Sequence, residues 1–170
     1  MYFLDRFKLI YNVEVIGLNI YEFAMKSELE GSAYYKRAAD LCKDEWLKGI
    51  FEFLSLEEKK HFNIFREMKD RNLEFKSLEN HNYKDLKSIF QDKREEKIIG
   101  SLSELQTSIY LAAAKDERDT IESYERILSE IENEQEKKAV LEIINEEKEH
   151  LRFLEEVIEL MNKLEKNREQ

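Results

Sequence analysis

Apolar residues recur at three- and four-residue intervals through most of this 170-residue chain. Stepping along one face gives Leu47, Phe51 and Leu54, then Glu58 and His61, then Phe65 and Met68. Four segments share that spacing, so the pattern predicts four long amphipathic helices. Asn19 with Glu22 three residues on is a capping-box signature for the first, expected to run to about Lys43. Asp44 is the expected N-cap of the second, which runs to about Arg71. Ser101 with Glu104 opens the third, ending near Glu132, and Asn133 with Glu136 opens the fourth, which continues toward Lys166.

One or two residues separate the helices within each pair, so each pair must fold back as an antiparallel hairpin. A crossover over residues 72–100 joins the pairs, and "YKDLKSIF" within it has the pattern of a short helix. Two hairpins and a long crossover make an all-α four-helix bundle. The expectation is a single domain over 1–170 with an N-terminal extension at 1–18. That extension carries Phe3, Phe7, Ile10 and Tyr11, more apolar surface than the bundle obviously covers. Such a patch predicts burial against the bundle or a second subunit, with a homodimer contact favoured.

The hairpins also repeat one another. A shift of 89 residues lays 19–65 on 108–154 without a gap, matching Tyr21 with Tyr110, Glu28 with Glu117 and Tyr35 with Tyr124. It likewise matches Glu58 with Glu147 and His61 with His150. The scarce tyrosines and histidines carry most of the weight, and an internal duplication with a pseudo-twofold bundle follows.

Composition narrows the function classes. The absence of proline, with only four glycines, favours long helices over sheet. A net charge of −10 argues against nucleic acid and anionic membrane surfaces as partners. The apolar N-terminus is interrupted by Asp5, Arg6, Lys8 and Glu14, so it reads as neither signal peptide nor membrane span. Cys42 stands alone, which excludes an intramolecular disulfide and a CxxC metal knot and fits a reducing cytoplasm. Its spacing from Glu28 makes it a core position, whereas His81 in the polar crossover is expected in solvent.

Glu58 and His61 therefore interrupt an apolar stripe, at a cost of several kcal/mol unless something pairs with them. In an antiparallel hairpin, residues equidistant from the turn lie level. Glu28 and Glu58 flank the turn near Asp44 in this way, and Glu117 and Glu147 flank the one near Asn133. Each hairpin thus brings two glutamates to one height, with His61 or His150 one turn further along. Glu57, Lys59 and Lys60 are expected to turn outward, as are Glu30 and Asp119. Four buried carboxylates repel one another, and two divalent ions would balance them, the neutral imidazoles completing the set. Oxygen-rich donors with one imidazole per metal suit iron or manganese.

"AMKSELEGSAYYKRAA" followed by "FEFLSLEEKKHFNIF", then "AAAKDERDTIESYERI" followed by "LEIINEEKEHLRFL", resembles the ferritin-like superfamily, and especially its rubrerythrin-like branch, over about residues 19–160. By that resemblance Glu28, Glu58, His61, Glu117, Glu147 and His150 would be ligands of two iron ions, with manganese or zinc as alternatives and carboxylates bridging. Tyr35 and Tyr124 would hydrogen-bond the ligand carboxylates. The resemblance implies a non-haem di-iron oxidoreductase that reduces hydrogen peroxide or dioxygen. Rubrerythrins commonly add a rubredoxin domain with two CxxC pairs; with Cys42 alone, electrons would come from a separate donor such as a rubredoxin, or from a small reductant. They also tend to carry a further Glu where this chain has Thr120. The six-residue set is closer to that of bacterioferritins, so a ferritin-type ferroxidase that stores or buffers iron is the alternative.

Overall fold

A computed structural model describes residues 20–43, 45–70 and 104–168. Among the described residues there are four helices and no strand: α1 (Ile20–Leu41), α2 (Glu45–Lys69), α3 (Glu104–Glu130) and α4 (Glu134–Arg168). They fall on the four amphipathic segments, the first three stopping about two residues short of the expected ends. The expected caps Asn19, Asp44 and Ser101, the crossover with its short helix, His81 and the N-terminal extension lie outside the described residues. Three residues, 131–133, rather than one or two link the helices of the second pair.

The helices pack as two hairpins, α1 on α2 and α3 on α4, which meet along α1–α3 and α2–α4. The stripes face inward: Leu47, Phe51, Leu54, Phe65 and Met68 of α2 are buried, as are Val140, Ile143, Ile144, Leu154 and Val157 of α4. Burial of such side chains contributes about 1.5–3 kcal/mol each.

The core divides into two apolar clusters. One gathers Tyr35, Phe51, Leu54, Tyr110, Ala113, Leu154 and Met161. The other gathers Phe23, Ala24, Phe65, Ile121, Tyr124, Val140 and Ile143. On every helix the residues of one cluster precede, and those of the other follow, a charged interruption: Glu28, Glu58 with His61, Glu117, and Glu147 with His150. The polar groups therefore form a layer across the middle of the bundle with apolar packing above and below. Tyr21 and Tyr110, matched under the 89-residue shift, sit half-buried and fully buried. Tyr110 donates to the Leu47 carbonyl at 3.2 Å, and Tyr21 donates to the Glu136 carboxylate. Cys42 is half-buried beside the first cluster.

Candidate metal centre

All six sequence-selected groups lie in that layer. Glu28, His61, Glu147 and His150 are fully buried, and Glu58 and Glu117 are at most 3% exposed. Helical geometry explains the alignment: Glu58 and His61, like Glu147 and His150, are three residues apart and so share one face of their helix.

Their donor atoms converge in two overlapping groups. Glu28, Glu58, His61 and Glu147 each offer one ligand atom within 4.8 Å of the others, and so do Glu58, Glu117, Glu147 and His150. The grouping crosses the hairpins. Glu147 of the second hairpin joins the trio of the first, and Glu58 of the first joins the trio of the second. Glu58 and Glu147 thus belong to both, and the imidazole rings stand 6.0 Å apart on either side.

The tyrosines also reach across. Tyr35 donates to Glu117 Oε1 at 2.5 Å, and Tyr124 donates to Glu28 Oε1. Burial, followed by the nearby glutamates, pushes both phenols well above their ordinary range, so both stay neutral donors. Gly31 allows a close approach: a Cβ there would lie 2.4 Å from Glu58 Oε2. One turn away Ser32 and Ser55 clasp α1 to α2, each hydroxyl donating to the other's carbonyl at 2.9 and 3.0 Å.

The ionisable groups of the layer shift one another. Burial, then Glu28, Glu147 and Glu117, holds Glu58 well above the usual carboxylate range. Burial and then Glu147 do the same to Glu117. For His61, burial opposes the cation, but Glu147, Glu146 and Glu28 outweigh it and raise its pKa well above 6.5. Burial would raise Glu147 too, yet His61 and His150 hold it well below 4.5.

The donor set suits a cation. Glu28 Oε2, His61 Nδ1 and Glu147 Oε1 are buried without an aligned hydrogen bond. His61 Nδ1 nevertheless lies 2.9 Å from Glu147 Oε1 and 3.7 Å from Glu28 Oε2. Buried acceptors gathered about one point are costly unless a positive charge joins them. Hard carboxylate oxygens with one imidazole per group fit iron or manganese, and also accommodate zinc.

One outward expectation is corrected. Lys59, Glu30 and the partly exposed Asp119 do lie toward solvent, but Glu57 is only 4% exposed and Lys60 is half-buried. Lys60 Nζ meets Glu57 Oε2 at 3.2 Å and both Glu146 oxygens at 3.0 Å, and Glu146 Oε2 in turn meets His61 Nε2 at 2.9 Å. Position on α2 alone points Glu57 and Lys60 away from the core. The packing of α4 against α2 covers them.

Among known families, the model described as Rubrerythrin matches residues 19–158. No curated protein and no solved structure matches the chain. Among the described residues no helix is long and apolar enough to cross a membrane.

Proposed function

The chain belongs to the rubrerythrin family, and on that premise we propose that it is a non-haem di-iron oxidoreductase reducing hydrogen peroxide, dioxygen or both. The observation that carries the proposal is the pair of overlapping buried groups with Glu58 and Glu147 in common. In this reading Glu28, Glu58, His61 and Glu147 would hold one ion. Glu58, Glu117, Glu147 and His150 would hold the other, Glu58 and Glu147 being common to both sets.

When bound, a ferrous pair supplies two electrons to an O–O bond and positive charge beside the oxygen anions that result. The chain supplies the rest. Tyr35 and Tyr124 fix the carboxylates of Glu117 and Glu28 by charge-assisted hydrogen bonds, which confines the ligand set to one geometry. The apolar clusters on either side exclude bulk water, strengthening the electrostatics between them. A separate donor, a rubredoxin or a small reductant, returns the electrons, and the single cysteine suits the reducing cytoplasm in which that donor would work.

Stopped-flow mixing of the diferrous protein with hydrogen peroxide, and separately with dioxygen, tests the reading. We expect oxidation faster than that of free Fe(II) with at least one of them, and equal rates with both would sink it. Peroxide preference marks a peroxide reductase.

A ferroxidase that buffers iron is the second reading, favoured by the near-symmetry of the two groups, three glutamates and one histidine in each. Light scattering separates the two, because storage needs a large hollow shell whereas the proposed homodimer has no room for a mineral.

A further inference from the structure

We infer that Glu146, held in place by Lys60, is a positioning residue that aims His61 at its metal and makes the two metal positions unequal. The inference rests on the di-metal reading above and adds a residue outside the ligand set.

The contacts are specific. His61 is fully buried, and its outer nitrogen Nε2 lies 2.9 Å from Glu146 Oε2. A carboxylate can only accept, so Nε2 carries the proton and donates it. In the neutral imidazole, the form that a metal ion requires, the lone pair is then left on Nδ1, the atom that faces Glu28 and Glu147. Without the carboxylate, neutral imidazole can carry its proton on Nδ1 instead, which removes the donor atom from the group. Acceptance at the outer nitrogen also raises the basicity of the inner one.

Lys60 keeps Glu146 where it is needed. Its Nζ lies 3.0 Å from both Glu146 oxygens and 3.2 Å from Glu57, so one cation gathers two outer carboxylates across the α2–α4 seam. Glu146 is only 12% exposed and Lys60 21%, so these contacts are shielded from solvent more than surface pairs are.

The duplication reveals the inequality. Under the 89-residue shift Glu57 matches Glu146, but Lys60 matches an acid, Glu149. Glu149 is 42% exposed and ion-pairs with Arg152 on its own helix. The His61 side thus has a cation drawing the outer glutamates together, and the His150 side has an outward-turned carboxylate at the equivalent place.

Calorimetric titration of the metal-free full chain with Co(II) under anaerobic conditions tests this, alongside the thermal unfolding of the same metal-free samples. The wild type is expected to take up two ions per chain. Glu146→Ala should keep one ion at wild-type affinity and weaken the other about 10- to 100-fold. Glu146→Gln, whose amide oxygen can still accept from Nε2, should lose less and serves as the variant that keeps the fold. Two unaltered ions in Glu146→Ala would overturn the inference. So would equal weakening of both in step with a lowered unfolding temperature, which marks a merely structural role. A wild-type chain that takes up no Co(II) overturns the di-metal reading itself, and the clamp with it.

Discussion

Gly31 decides how Glu58 can sit. Its missing Cβ is the space that Glu58 Oε2 fills, 2.4 Å from where the methyl of an alanine would stand. In Gly31→Ala the helix gains roughly 1 kcal/mol of propensity, which offsets part of the strain of moving the carboxylate, so the metal-free fold should survive. Metal uptake should weaken, because Glu58 belongs to both donor groups. We expect both ions to weaken by about 1–3 kcal/mol, on the scale of overpacking, or roughly 5- to 150-fold. The same Co(II) titration checks it, and unchanged affinities would refute the proposed sharing of Glu58 by the two ions. The six central groups were legible because each interrupts an apolar stripe, an anomaly visible in one helix taken alone. Glu146 and Lys60 were not. A Glu beside a ligand has no signature in a chain with 38 acidic residues, and their partners become apparent only when α4 covers α2. The exchange of Glu58 and Glu147 between hairpins was hidden for the same reason, since level pairing within a hairpin says nothing about reach across the bundle.

At the scale of the helices, the apolar period located all four, and one cap can be checked in atomic detail. Asn133 Oδ1 accepts from the backbone N–H groups of Gln135 at 2.9 Å and Glu136 at 3.2 Å, as the capping signature requires. The second half of that signature would turn Glu136 back on its own helix; instead its carboxylate accepts from Tyr21 of α1. A partly buried phenol needs an acceptor, and this one joins the starts of α1 and α4. Helix propensity cannot announce a tie of that kind, because it depends on a neighbour 115 residues away. Asn133→Ala should cost about 1 kcal/mol and lower the unfolding temperature by about 2–4 °C. Four turns or so of helix separate the cap from Glu147, about 20 Å at 1.5 Å per residue. Metal stoichiometry and affinity should therefore stay at wild-type values. A variant that lost metal in proportion to stability would mean that α4 frays as far as the donor layer.

For the whole molecule, the central layer makes stability depend on what neutralises it. Without metal, protons do so. Glu58 and Glu117, raised by burial and by neighbouring glutamates, favour the folded state while protonated. That stabilisation is complete below their ordinary value of 4.5 and is lost as pH rises through their raised folded values. His61 acts in the same direction: its stabilisation is complete below 6.5 and is lost as pH rises through its raised folded value. Glu147, held low by His61 and His150, opposes them, since its contribution is present above 4.5 and is lost as acid is added. Three groups against one place the stability optimum of the metal-free chain on the mildly acidic side, with a decline toward alkaline pH. Divalent ions at the same position replace those protons, so loading should flatten the decline and release protons into a weakly buffered solution. At a free metal concentration one hundred times Kd the gain is about 2.7 kcal/mol per ion bound only by the folded state. Thermal unfolding between about pH 6 and about pH 9, with and without metal, measures both effects. The metal-free protein should lose unfolding temperature across that range while the loaded protein holds nearly level. Parallel curves would mean that the buried carboxylates are neutralised by something other than the ions the donor groups are arranged to bind.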